Sequence, residues 1–171
     1  MSVPARFLLG LRDGLPIGAG YFAVSFAFGI QARAIGLTAL QAFALSGGNL
    51  TSAGQFAGLA VIQAGGGLLA MALTQLVINL RYCLMSCAIA QRLAPGVPLW
   101  HRFPIAFGVT DEIFAASVAV PGRLRPAYSY GLIAISWPGW AGGTVLGVLA
   151  GDLLPRSVTD ALAMALYAMF V

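Results

Sequence analysis

Residues 39–62 read ALQAFALSGGNLTSAGQFAGLAVI, an apolar stretch as long as a membrane span that is interrupted in its middle by glycine and polar residues. The interruption begins with SGGN at residues 46–49 and continues through Thr51, Ser52 and Gln55. Backbone groups that a helix break frees in lipid must be satisfied by protein, water or a ligand. The stretch therefore predicts a broken helix that lines a cavity.

The rest of the chain has the composition of a protein that uses lipid as its solvent. Of its 171 residues, 60% are hydrophobic and only 8% are charged. These values predict an all-α, polytopic integral membrane protein with one transmembrane domain over residues 1–171 and no separate soluble domain. The net charge of +4 comes from arginines that lie mostly between apolar segments, so it reflects topology and does not indicate a nucleic-acid partner.

Six apolar segments predict about six membrane helices. They are residues 15–35, 39–62, 66–90, 104–120, 128–150 and 160–171. The first segment is expected to begin at Pro16, a residue favoured in the first helical turn. The last segment is too short to span, so the C-terminus is expected to be truncated. With six spans the loop arginines divide evenly between the two sides of the membrane, so their charge does not fix the orientation.

The fifth segment is predicted to be the second interrupted helix. Its centre reads SWPGW at residues 136–140, and a proline there removes a backbone donor. Aligning Pro16 with Pro104 brings this break into register with the break at residues 46–49. The pairing suggests an inverted repeat of three plus three helices with halves 1–90 and 104–171, and a site near the midplane where the halves meet.

Three charged residues lie well away from the ends of apolar segments, where charge is expensive and usually functional. Arg81 is halfway along the third segment, and Asp111 and Glu112 are adjacent in the fourth. Neighbouring residues on a helix point about 100° apart, so one of the two carboxylates is expected to face Arg81. A structural ion pair and a proton-coupling role for at least one of the three residues both remain open.

The first break offers groups that suit a zwitterion. A half-helix N-terminus supplies free N–H groups for a carboxylate, and unwound carbonyls or polar side chains suit an ammonium group. The candidate substrate-binding residues are Ser46, Gly47, Gly48, Asn49, Thr51, Ser52, Gln55, Asn79 and Thr110.

Trp137 and Trp140 either wall the pocket for an apolar side chain or pack against neighbouring helices. Cys83 and Cys87 are expected to be buried packing residues, because the sequence offers no further cysteine or second histidine to complete a metal site. No cofactor and no metal are predicted.

The motifs NLR at residues 79–81 and TDE at residues 110–112, together with Ser46 and the Gln55-Phe56 pair, resemble those of AzlC-type branched-chain amino acid exporters. The resemblance covers nearly the whole chain. It implies a multi-pass protein of the bacterial plasma (inner) membrane that exports branched-chain or other small apolar amino acids, together with a small AzlD-type membrane subunit.

The combined interpretation is a proton-coupled secondary transporter, either with that subunit or as a homo-oligomer. The alternative is an assembly or accessory subunit that has no transport pathway of its own. An intramembrane hydrolase is disfavoured, because the sequence lacks a Gly-x-Ser-x-Gly elbow and a His-Glu-x-x-His motif.

Overall fold

The computed structural model describes residues 2–151 and 153, and this part of the chain is built of helices. The helices are α1 (Val3–Ala34), α2 (Ala39–Gly48), α3 (Ser52–Gln63), α4 (Leu68–Arg92), α5 (Leu99–Phe107), α6 (Asp111–Ala119) and α7 (Pro126–Gly151). Three helices of the described part, α1, α4 and α7, are long and apolar enough to cross a membrane.

The chain divides into two compact units. Unit 1 contains the residues up to Ala19 and those from Leu80 to Trp137. Unit 2 contains Gly20–Asn79 and the described residues from Pro138 onward. Each unit therefore draws residues from both of the predicted repeat halves.

In unit 2, α2 and α3 form a hairpin. The predicted break is confirmed, because α2 ends at Gly48 and α3 begins at Ser52 after a short extended link. Ser46 Oγ lies 3.0 Å from Gln55 Oε1, and Ala42 of α2 shares a buried cluster with Leu59 of α3. Such contacts require α3 to run back beside α2. At 10 and 12 residues, each helix covers about half of a 30 Å hydrocarbon core.

Unit 1 contains a second hairpin, formed by α5 and α6. The loop after α4 pairs with the loop after α6: the Ala94 amide donates to Leu124 O at 2.9 Å, and the Leu124 amide donates to Arg92 O at 2.8 Å. The C-terminal ends of α4 and α6 therefore lie together at one end of the unit. Because α5 and α6 have 9 residues each, neither helix of the hairpin is long enough to cross a hydrocarbon core of about 30 Å.

The second and fourth predicted segments are therefore hairpins of short helices, and none of these helices is long enough to cross a membrane alone. A helix break allows the chain to continue in any direction that satisfies the freed backbone groups, and here it turns back. The predicted six spans become three among the described residues. The predicted sixth segment and the predicted truncation fall on residues 160–171, which lie outside the described residues.

The prediction of a break in the fifth segment is wrong. Helix α7 continues through Pro138, since proline removes one donor but has a backbone φ that a helix accepts. The second break lies in the fourth segment, between α5 and α6. The alignment of breaks that suggested a three-plus-three repeat is therefore not present.

The predicted start of the first helix at Pro16 is also wrong, because α1 begins at Val3. The first turns of α1 are held by close packing in unit 1. A side chain at Gly10 would collide with the carbonyl of Tyr128, and one at Gly14 would press on Leu132. These contacts stabilise the first turns of α1, which come before the apolar segment predicted at residues 15–35.

The second hairpin gathers arginines at one end of unit 1. Arg92 and Arg102 lie at the same end as Arg123 and Arg125, because the loops at Leu93 and Leu124 pair with each other. The first turns of α1 lie beside the first turns of α7, where Tyr128 OH donates to Asp13 at 2.9 Å, and this contact brings Arg6 and Arg12 to that end. Loops rich in arginine stay in the cytoplasm. By this rule we expect the C-terminal end of α4 and the N-terminal end of α1 to face the cytoplasm.

This orientation predicts the labelling of the two ends of α4. In a background with Cys83 and Cys87 replaced by alanine, a Gly67→Cys variant is expected to react with an impermeant maleimide on intact cells. A Pro95→Cys variant is expected to react only after permeabilisation, and both positions are exposed. The opposite pattern would overturn the orientation.

Candidate functional site

A buried polar cluster centres on Gln55 in unit 2. Gln55 Oε1 accepts from Ser46 Oγ at 3.0 Å and from the Trp140 indole Nε1–H at 3.2 Å. Its Nε2 donates to the carbonyls of Leu45, at 3.3 Å, and Asn49. The Gln55 amide therefore uses both of its donors and its acceptor, and it holds the end of α2 against α3 and α7.

Thr144 extends this cluster along α7. Its Oγ1 lies 2.7 Å from Ser46 Oγ and 3.1 Å from Trp140 O. Ser46 and Thr144 are both fully buried, so their hydroxyl groups depend on each other and on Gln55 for hydrogen bonds. The cluster fixes the position of the hairpin turn within unit 2.

A second polar chain joins the start of α3 to α4. Thr51 Oγ1 donates to Asn79 Oδ1 at 2.8 Å, and Asn79 Nδ2 donates to Gln75 Oε1 at 3.0 Å. Gln75 Nε2 then donates to Gly54 O at 2.7 Å. Gly54 is essential to this contact, because a Cβ there would lie 2.8 Å from Gln75 Oε1 and 3.0 Å from Asn79 Nδ2.

The N-terminus of α3 differs from two other helix starts in the chain. The Thr38 side chain caps α2 by accepting a hydrogen bond from the backbone N–H of Gln41. The Thr110 side chain caps α6 in the same way, by accepting from the backbone N–H of Ile113. Thr51 stands at the same position before α3, but it makes no side-chain cap, because its hydroxyl binds Asn79. The first turn of α3 thus keeps its backbone N–H groups and the positive end of its dipole available to an anion.

A cavity of about 260 Å³ lies beside this first turn. Gly54, in the first turn of α3, lines it together with polar residues on one part of the wall and apolar residues on the rest. The polar residues are Asn49, Gln55 and Gln75, and the apolar residues are Phe28, Leu45, Leu59, Ile62 and Met71. This volume lies near the lower end of the range for ligand pockets, about 300 to 1,000 Å³.

The structure brings several predicted site residues together in unit 2. Ser46, Gln55, Thr51 and Asn79 belong to the two polar networks, and Asn49 lines the cavity. Three further candidates lie at the break but are not among the residues that line the cavity: Gly47, Gly48 and Ser52.

Sequence analysis missed Gln75 and Thr144. Each lies four residues from a partner on the same helix, Gln75 from Asn79 and Thr144 from Trp140. A polar residue one helical turn from another polar residue, within an apolar span, is the signal that could have identified them.

The two tryptophans have different positions. Trp140 is buried and hydrogen-bonded to Gln55, and its ring packs edge-on against Tyr21 with centroids 5.5 Å apart. Trp137 belongs to unit 1 and is half-buried. Neither tryptophan is among the residues that line the cavity of unit 2; Trp140 acts on it by positioning Gln55.

The predicted charged residues form an ion pair in unit 1. Arg81 NH1 lies 3.0 Å from Asp111 Oδ2, as expected for one of the two adjacent carboxylates. The Arg81 guanidinium also lies over the ring of Tyr82, 5.2 Å from its centroid. Both side chains of the pair are almost half exposed, 45% and 48%, although Arg81 stands midway along the membrane-crossing helix α4.

The tip of the second hairpin places this carboxylate. Thr110 is buried and accepts a hydrogen bond from the Ile113 amide at 3.3 Å, which fixes the start of α6. Asp111 and Glu112 follow in the first turn, where the helix dipole favours negative charge. The pair can therefore hold a charged carboxylate at the depth of Arg81.

The two cysteines correct an expectation. Cys83 and Cys87 are free thiols and both are exposed, so they are not buried packing residues. Helix α4 has no buried residue in its most apolar window, which explains their exposure. Within the described residues no group of histidine, cysteine or carboxylate side chains could hold a metal ion.

Comparison with known proteins gives a consistent family assignment. The chain is 37% identical to an uncharacterized membrane protein of Archaeoglobus fulgidus, over all of this chain and 75% of that protein. It is 33% identical to the inner membrane protein YgaZ of Escherichia coli, over 98% of this chain and 71% of that protein. No solved structure matches the chain. The family model of the AzlC protein matches residues 16–154, and the chain therefore belongs to the AzlC family.

Proposed function

We propose that this protein is a secondary transporter that exports branched-chain or other small apolar amino acids across the bacterial plasma membrane. The observation that carries the proposal is the cavity of unit 2, which joins an uncapped helix N-terminus to an apolar wall. Family membership and three membrane-crossing helices support a transport role over an enzymatic one.

The cavity suits each part of such a substrate. The carboxylate of the amino acid binds the free N–H groups at the start of α3, close to Gly54. The ammonium group binds a carbonyl oxygen of Asn49 or Gln75, two polar residues that line the same cavity. The apolar side chain then lies against Phe28, Leu59 and Met71.

Coupling is assigned to the ion pair of unit 1. Asp111 carries the proton during the cycle, and Arg81 balances its charge when the proton has left. The near-half exposure of both side chains supports this role, since a proton carrier must be reached by water.

A small AzlD-type membrane subunit is the proposed partner. The most apolar window of α4 has no buried residue, and its exposed side chains include Leu76, Val77 and Leu84. A second membrane helix covers such a face through close packing in the lipid phase. Co-expression with the small subunit is expected to raise the yield of the chain.

Narrowing the cavity tests the proposed substrate. A Cβ at Gly58 would lie 3.4 Å from Gln75 Nε2 and 3.7 Å from Met71 Sδ, so alanine fits without strain but occupies cavity space. Gly58→Ala is expected to reduce leucine efflux from proteoliposomes about tenfold relative to alanine efflux.

The matched control is Gly20→Ala, since a Cβ at Gly20 meets nothing within 4 Å. Both variants are expected to melt at or slightly above the wild-type temperature, because alanine favours helix. Unchanged selectivity in a well-folded Gly58→Ala protein would refute the cavity as the substrate site.

A further inference from the structure

An apolar groove in unit 1 lies between the last turns of α4 and the second half of α5. Its volume is about 240 Å³. Helix α4 contributes Ile89 and Ala90, the loop after it contributes Leu93, and α5 contributes Ile105 and Ala106. The charged residue in its wall is Arg102.

Arg102 stands where the groove meets the polar end of unit 1. It is exposed, and among the described residues no acidic side chain pairs with it. Two neighbouring arginines of this end donate to backbone carbonyls: Arg92 to Val120 O at 2.5 Å, and Arg123 to Gln91 O at 2.7 Å. Their positive charge is therefore not neutralised by these contacts, and this end of the unit attracts an anion.

The residues beside Arg102 mark the depth of the membrane interface. The His101 ring stacks on Trp100 with centroids 3.6 Å apart, and His101 Nδ1 lies 2.6 Å from Tyr130 OH. Tryptophan and tyrosine collect where lipid headgroups meet hydrocarbon. From Arg102 to its end at Phe107, α5 extends about 8 Å, which takes the groove from the headgroup level into the hydrocarbon layer. The groove therefore connects the headgroup level to the lipid interior.

We propose that this groove binds an anionic phospholipid, with its phosphate on Arg102 and one acyl chain along the apolar wall. A soluble anion would leave the apolar wall in contact with water, and a neutral lipid would leave Arg102 without a counter-charge. A negatively charged lipid satisfies both parts of the groove. The positive-inside rule places the arginine-rich end on the cytoplasmic side, so the proposed lipid belongs to the cytoplasmic leaflet.

The native cysteines provide the test. Cys87 lines the groove, whereas Cys83, one turn earlier on α4, does not, and both are exposed. Cys83→Ala and Cys87→Ala each leave one thiol, whose reaction with a permeant maleimide is followed in nanodiscs of phosphatidylcholine, with or without phosphatidylglycerol. Phosphatidylglycerol is expected to slow the reaction of Cys87 several-fold and to leave Cys83 unchanged. Soluble glycerol phosphate is expected to protect neither thiol.

A second measurement keeps the result decisive if Cys87 reacts slowly in every lipid. Native mass spectrometry should find phosphatidylglycerol retained by the wild type and by Arg125→Gln, which removes a nearby charge outside the groove, but lost from Arg102→Gln. Equal retention by Arg102→Gln and wild type would overturn the proposal. If Cys87 reacts readily in pure phosphatidylcholine, an equal rate after phosphatidylglycerol is added would do the same.

Discussion

Replacing Gln55 by leucine is expected to abolish amino acid efflux and to lower the melting temperature. Leucine fills much of the same space but makes none of the hydrogen bonds of the Gln55 amide. The Trp140 indole N–H and the Ser46 hydroxyl then lose a partner in a buried environment, and the part-buried carbonyls of Leu45 and Asn49 lose a donor. Each buried polar group left unsatisfied costs about 1–3 kcal/mol, so the loss is a large part of ordinary stability. Differential scanning fluorimetry and proteoliposome efflux measure the two effects.

The matched control is Gln91→Leu, the same change at an exposed position of α4. It is expected to leave the melting temperature and efflux unchanged. Gln55→Glu keeps an acceptor for Trp140 but turns a carboxylate oxygen towards two carbonyls. Its efflux rate should therefore lie between that of Gln55→Leu and that of the wild type. Wild-type stability and efflux in Gln55→Leu would show that the buried cluster is not needed to hold the site in position.

Replacing Asp111 by asparagine is expected to abolish efflux driven by a proton gradient and to spare exchange of one amino acid for another. An amide keeps the size of the side chain and its hydrogen bonds, but it neither carries a proton nor balances the charge of Arg81. Exchange can proceed without release of the proton on each cycle. The two modes are separated by efflux assays with an imposed gradient and with labelled substrate on both sides.

Two other carboxylates serve as controls for Asp111. Glu112→Gln is expected to keep most of the driven efflux, because the structure pairs Arg81 with Asp111. Asp13→Asn should have no effect on coupling, since asparagine still accepts from Tyr128 OH. Full driven efflux by both Asp111→Asn and Glu112→Gln would remove these residues from the coupling mechanism.

The break at residues 46–49 could be predicted because two glycines and an asparagine in an apolar stretch leave backbone groups unsatisfied. The direction of the chain after the break could not. A bent helix that spans the membrane and a hairpin that returns have the same local pattern. The contacts that distinguish them, Ser46 with Gln55 and Ala42 with Leu59, join residues on separate helices.

The second break was visible in the sequence but was interpreted differently. Thr110 followed by Asp111 and Glu112 is a helix start, because a threonine cap and acidic first-turn residues satisfy and complement free N–H groups. From the sequence alone, these residues are considered as an ion pair or a proton-coupling site and not as a helix start, and the second break is placed at Pro138. The structure shows that a threonine with acidic neighbours can end one helix and start another where a proline does not.

The short helices of the two hairpins affect how the protein is made. A translocon releases a segment sideways into lipid when that segment is long and apolar enough to cross, as α1, α4 and α7 are. Helices of 9 to 12 residues do not meet this condition alone. We expect each hairpin to enter the bilayer after its flanking helices, as a folding step that follows insertion. Variants that weaken the hairpins should therefore reach the membrane in normal amounts and fail later, as targets of membrane proteases.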